Sequence, residues 1–244
     1  MIAKRLPVPK GIVFDLGGTL LRQQRLDPVA GLRRLLALSE NRDTVDVEAF
    51  RKTGDELVQN VMNWRSEIRE CGISSVELRF QSLLWLLVDR FGLETSLSLS
   101  DLELEFWKAS CSMGIEPGVK TLFEHLSRRR IPSGLVSNTL FSCGPIEWEL
   151  ERHGLSHYLS FVMASADYGV RKPHPALFLT AARKLALKPT EVWFVGNQLE
   201  TDIVGAQQAG MVPVWYTREY RKPSGYDGLC VANWAEFVSG LMQV

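Results

Sequence analysis

The 244-residue sequence has no excess of either charge, with 28 Lys and Arg against 28 Asp and Glu. Nothing in that balance advertises a nucleic-acid partner, and no acidic tail stands out. No apolar run approaches the roughly 18–20 residues that a bilayer span requires, so a membrane is not expected as a partner. The opening stretch MIAKRLPVPKGIVF is too polar and too broken by proline for a secretory leader. Cysteine is scarce: Cys71, Cys111, Cys143 and Cys230 are scattered, with no CxxC pair. That argues against a disulfide framework and for reduced thiols in the cytoplasm. His153 and His157 are four apart with Gly154 between them and no third ligand nearby, which does not make a zinc site. No internal repeat or low-complexity linker interrupts the chain. With 45% hydrophobic and 23% charged residues, the composition is that of a soluble globular protein. It is long enough for one large domain, or for a core with a smaller second unit.

Two patterns divide the chain. After a first apolar strand at Ile12 to Phe14, residues 27–112 carry helical periodicity and no convincing strand. PVAGLRRLLALSE places Leu32, Leu35 and Leu36 together, and VEAFRKTGDELVQNVMNW aligns Val47, Phe50, Leu57, Val58 and Val61. SVELRFQSLLWLLVDRFG repeats Phe80, Leu83, Leu84, Leu87, Val88 and Phe91 before Gly92. Ser100 is the expected N-cap of the helix that follows. From about residue 113, amphipathic helices alternate with short apolar runs: GLVSN, FVMAS, VWFVG and VPVWY. Continuous apolar strands alternating with helices predict a parallel sheet covered on both faces. The expected fold class is α/β, a doubly wound Rossmann-like core from residues 1–22 and 113–244. An all-helical cap from residues 23–112 is inserted after the first strand.

In such sheets ligands bind beyond the carboxyl ends of the strands. The strand ends here carry Asp15, Ser137-Asn138 and Asn197, and Lys172 lies in the loop after FVMAS. Each has an ordinary explanation when taken alone. A strand-end Asp can cap a Gly-Gly turn, SNT can cap a helix, and Asp202 suits a helix N-terminus.

Together, FDLGGTL, LVSNT, YGVRKPHPALF and VGNQLETDIVGAQQAGM resemble, in order, the four motifs of the haloacid dehalogenase-like hydrolases. The resemblance implies that Asp15 is a nucleophile that forms a covalent intermediate. It implies that Thr19 supports the loop and that Lys172 neutralises charge on Asp15 and the substrate. Ser137 and Asn138, with Gly18, would hold the transferring group. Asp15, the Gly17 carbonyl, Asp202 and Asn197 would bind Mg²⁺. The expected substrate is a small phosphorylated metabolite; nothing bears on oligomeric state.

Two positions depart from that pattern. Gly17 replaces the second aspartate of D-x-D, the general acid–base of the family's phosphatases. Asn197 replaces the first aspartate of the fourth motif, a metal ligand there, with Glu200 nearby in sequence. A general acid or base contributes about 10²–10⁴-fold, so three outcomes are open. The chain can be a phosphohydrolase using an activated substrate or an acid from the cap. It can be dehalogenase- or phosphonatase-like, with Lys52 or Lys108, or an arginine such as Arg33, Arg34 or Arg42, reaching in from the cap. It can also be a weak binder of phosphorylated ligands.

Overall fold

The structure, a computed structural model, describes residues 8–70, 75–217 and 228–242. Cys71 and the opening seven residues lie outside that set. In chain order, β1 (Gly11–Phe14) and β2 (Leu21–Leu26) lead into four helices, α1 (Pro28–Ala37), α2 (Val47–Glu70), α3 (Phe80–Phe91) and α4 (Leu99–Ser110). Then come β3 (Cys111–Ile115), α5 (Val119–Arg128), β4 (Ser133–Ser137), α6 (Cys143–Arg152), β5 (Leu159–Ala164) and the single turn α7 (Ser165–Tyr168). α8 (Pro175–Lys184), β6 (Val192–Gly196), α9 (Val204–Gln208), β7 (Val212–Tyr216), β8 (Leu229–Val231) and α10 (Trp234–Met242) complete the chain.

Six strands form one parallel sheet in the order β5-β4-β1-β6-β7-β8. Every residue of β1, β4 and β6 is buried. That two-sided burial is why these strands read as unbroken apolar runs rather than as alternations. Ile12 and Phe14 point into one core with Leu122, Phe123 and Trp234. Val13, between them, points into the other with Phe178, Phe194 and Ala206. The chain runs outward from β1 in both directions, so the sheet's topological switch point lies at the carboxyl end of β1, between β4 and β6.

Helices α1 to α4 gather around a separate apolar cluster that includes Leu32, Phe50, Phe80, Leu84, Leu87, Leu102 and Phe106. Gly92 ends α3 in the left-handed conformation, as its position in the sequence suggests. Two local expectations are corrected. The N-cap of α4 is Ser98 rather than Ser100: its side chain accepts from the Asp101 amide and Asp101 answers to the Ser98 backbone. Both serines have an acid three residues on, but Glu103 accepts from Gln81 and Ser142, and it is Asp101 that closes a capping box, with Ser98. The segment around 111 also contains a strand, because β2 and β3 pair as an antiparallel ribbon at the two ends of the helical insertion. In β2 (LRQQRL) only Leu21 is buried, so no alternation announced it.

Among the described residues, no helix is long and apolar enough to cross a membrane.

Candidate active site

β1 delivers Asp15 to the switch point, where the Asp15 amide donates to the Val195 carbonyl at 2.9 Å. The next turn is tight: the Leu16 carbonyl accepts from the amides of Thr19, Leu20 and Leu21, and the Gly18 amide donates to Leu21 at 2.7 Å. Gly18 sits at φ +80°, and a Cβ there would lie 2.4 Å from Nδ2 of Asn197, so both backbone and neighbour demand glycine. Its N–H serves the turn. The turn in addition carries Thr19 back over Asp15, with Oγ1 donating to Oδ2 at 2.9 Å.

Lys172 is the centre of the arrangement. Its ammonium group, 1% exposed, donates to Asp15 Oδ1 at 2.7 Å, to Asp202 Oδ1 at 2.8 Å and to the Val136 carbonyl at 2.9 Å. A lysine has three donors, and all three are engaged. Asp15 and Asp202 are 7% and 1% exposed, so this is a buried bridge of two carboxylates by one cation. Burial works against the Lys172 charge, but Asp15 and Asp202 outweigh it and hold its pKa above the ordinary lysine value. Burial, with the nearby Asp202 charge, pushes the Asp15 carboxyl above its usual range, against the lowering effect of Lys172.

Asn138, the residue directly after β4, supports this centre. Its Oδ1 accepts from the Lys172 amide at 2.8 Å and its Nδ2 donates to the Lys172 carbonyl at 2.9 Å. Both polar ends of the side chain are spent on orienting the lysine, a positioning role that differs from the substrate contact the resemblance implies. Ser137 lines the cleft. His174 does not: it is the N-cap of α8, where its ring nitrogen accepts from the Ala176 amide.

Asp202 is placed by a wide turn, Leu199–Ile203, at the start of α9, with Oδ2 accepting from the Gln198 amide at 3.0 Å. A Cβ on Gly196 would fall 2.4–2.5 Å from three atoms of the Asp202 side chain. A Gly196→Ala substitution is therefore expected to push Asp202 out of the bridge and to destabilise the fold by about 1–3 kcal/mol. Denaturant titration of the variant measures this.

The resulting cleft, of about 160 Å³, is lined by Asp15, Gly17, Ser137, Asn138, Arg171, Lys172, Gln198, Thr201 and Asp202. The four separate stretches of sequence do converge. Asn197 is not on the lining of the cleft, although its amide group lies against Gly18, and its Oδ1 is buried without a hydrogen-bond partner. Glu200 is exposed and does not line the cleft. Neither Lys52 and Lys108 nor Arg33, Arg34 and Arg42 line it either. Lys108 pairs with Glu105, as does Arg34. The cation that sequence reasoning missed is Arg171, which directly precedes Lys172 in RKPHP. Its amide donates to Ser75 at 2.8 Å, and its guanidinium lies 3.7 Å from the buried Glu77.

Whether Mg²⁺ suits this donor set follows from its oxygens. Asp15, Asp202 and the Gly17 backbone all border the cleft, and the Asn197 amide oxygen beside them has no partner. Hard oxygen donors with room for water and a substrate oxygen fit Mg²⁺. Among the described residues no group of three or more His, Cys, Asp or Glu is poised on a metal. One carboxylate ligand of the family motif is an uncharged amide here, at Asn197.

Comparison with known proteins agrees with the geometry. The family model for haloacid dehalogenase-like hydrolases matches residues 9–210. A glyceraldehyde 3-phosphate phosphatase of Methanopyrus kandleri is 48% identical over 69 residues, which are 28% of this chain and only 30% of that protein's length. A phosphoglycolate phosphatase of Yersinia pestis is 30% identical over 220 residues, covering 86% of this chain and 82% of the relative. A solved 2-haloacid dehalogenase from Pseudomonas syringae pv. Tomato DC3000 shares the fold, with a TM-score of 0.62 at 22% identity over 95% of this chain and 97% of the other. The family match spans most of the sequence and a relative at 30% identity matches 86% of it, so the chain belongs to the haloacid dehalogenase-like hydrolases.

Proposed function

We propose that this chain is a phosphohydrolase of a small phosphorylated metabolite, working through an aspartyl-phosphate on Asp15. The observation that carries this reading is the make-up of the cleft. A carboxylate nucleophile is surrounded by Lys172, Arg171 and the neutral donors Ser137, Gln198 and Thr201, which suit an oxyanion. The names of the relatives support it, since those of Methanopyrus kandleri and Yersinia pestis are both phosphatases.

In this mechanism Thr19 and Lys172 fix the rotamer of the Asp15 carboxylate, so that a free lone pair faces phosphorus. Ser137 donates to a non-bridging oxygen of the transferring group. Lys172, held by Asn138, offsets the negative charge that would otherwise repel the substrate. Asp15, the Gly17 carbonyl and Asp202, with Asn197 as a fourth oxygen, would hold Mg²⁺. That ion would supply Lewis-acid neutralisation of the phosphoryl oxygens. Residues 23–112 would act as a cap over a core of 1–22 and 113–244. The hydrogen bonds from Arg171 to Ser75 and from Glu77 to Gly169 stitch that segment to the loop carrying Lys172. The three described cysteines are free, which suits a cytoplasmic location.

A second reading, displacement at carbon as in haloacid hydrolysis, draws on one observation: neither Gly17 nor Asn197 brings a carboxylate. A panel of phosphate monoesters, acyl phosphates, phosphonates and haloacids, assayed with Mg²⁺ and with chelator, separates the two. Orthophosphate release stimulated by Mg²⁺ is expected. Halide release indifferent to chelator would replace this reading with the second.

A further inference from the structure

Among the described residues, the cleft holds a nucleophile but no second acid. A Cβ built at Gly17 meets no atom within 4 Å, so the place from which an acid would reach the leaving group is open space. No other described element fills it. The two carboxylates on the cleft, Asp15 and Asp202, are the nucleophile and the far end of the Lys172 bridge. The remaining buried carboxylates, Glu77, Glu103, Glu116 and Glu149, do not line the cleft. Glu77 accepts from Ser165, and Glu103 accepts from Gln81 and Ser142. Lys172 has all three donors engaged, and giving up a proton would leave two buried carboxylates without their cation.

We propose that the substrates of this site are phosphorylated compounds whose leaving group departs as a stable anion: acyl phosphates, phosphoanhydrides, or enol and aryl phosphates. Simple alkyl phosphates are excluded by the same chemistry. This rests on the phosphohydrolase reading and narrows it. In the first step an Asp15 oxygen forms a bond to phosphorus while the bond from phosphorus to the leaving oxygen breaks. The electron pair leaves with that oxygen as carboxylate, phosphate, enolate or phenolate, and no proton is needed until solvent supplies one. An alkoxide cannot leave this way at a useful rate without an acid, which contributes about 10²–10⁴-fold. In the second step water attacks the phosphorus of the aspartyl-phosphate. The Asp15 carboxylate leaves with its electron pair, and the water's proton passes to solvent or to the departing phosphate. That step also has no base at position 17, so the phosphorylated chain accumulates.

The test is a leaving-group series on the full chain with Mg²⁺ present: acetyl phosphate, aryl phosphates of graded acidity and an alkyl phosphate. For the native chain kcat/KM is expected to fall steeply along the series, and acid quenching after acetyl phosphate should recover phosphate bound to Asp15. Gly17→Asp, for which the space exists, is expected to raise kcat/KM for the alkyl phosphate about 10²-fold or more, to change kcat/KM for acetyl phosphate little, and to lower the phosphate trapped on Asp15 because the second step gains its base. Gly17→Asn, equal in size but not an acid, should reproduce the native slope. A flat series in the native chain overturns this inference and leaves the phosphohydrolase reading standing. Absence of orthophosphate release from every member overturns both.

Discussion

Replacing Lys172 with methionine is expected to cost the chain its turnover and several kcal/mol of stability at once. Lys172 is 1% exposed and is the cation between two carboxylates that are themselves 7% and 1% exposed. Removing one partner of a buried ionic arrangement costs about 3–5 kcal/mol, because what remains is uncompensated charge in a poor solvent. Here two like charges remain, and their cheapest response is for one to take up a proton. The penalty is therefore expected to be larger at neutral pH than in mild acid. For a chain of this size each kcal/mol lowers the melting temperature by about 2–4 °C, so differential scanning calorimetry will see the change. Turnover is expected to fall about 10²–10³-fold, the usual loss when a donor aimed at developing charge is removed. Combining Lys172→Met with Asp202→Asn removes one of the stranded charges. The double variant should recover part of the stability and none of the activity. If instead the single variant were as stable as the native chain, the buried bridge would not be the structural centre described above.

Much of the core was legible in the sequence because burial on both faces leaves a blunt signature. GIVF, GLVS and VWFVG read as central strands, and that is where they lie. The site was legible for a related reason: the switch-point rule turns strand ends into candidate positions, and Asp15, Ser137 and Lys172 do line one cleft. What stayed hidden depends on distances that sequence does not encode. Asn138 reads as a polar strand-end residue, and only the paired contacts with the Lys172 backbone show that it orients the lysine. Arg171 looks like any loop arginine until the 75–77 segment is seen bonded to it. Its signal, an arginine directly before the lysine, was present but has no meaning without the neighbour. The β2–β3 ribbon failed to announce itself because five of the six β2 residues are exposed. Gly17 is the reverse case: the sequence showed what was missing, and a Cβ there would meet no described atom within 4 Å.

Asp15→Asn is expected to separate the two losses that Lys172→Met combines. Turnover should fall about 10⁴-fold or more, the scale seen when a nucleophile is deleted from a site whose other groups remain. Stability should hold or rise at neutral pH, and the sign follows from linkage. The Asp15 carboxyl is pushed above its ordinary value by burial, so the folded chain binds that proton more tightly than the unfolded chain does. Stability from this group is then fully present below the unfolded pKa and is lost as pH rises through the folded one. Asparagine resembles the protonated form at every pH and should not show that decline. Lys172 keeps Asp202 at 2.8 Å as its counter-ion, so the variant strands no cation. Unfolding free energies of the two chains, measured in urea across the acid-to-neutral range, should therefore diverge in favour of the variant as pH increases.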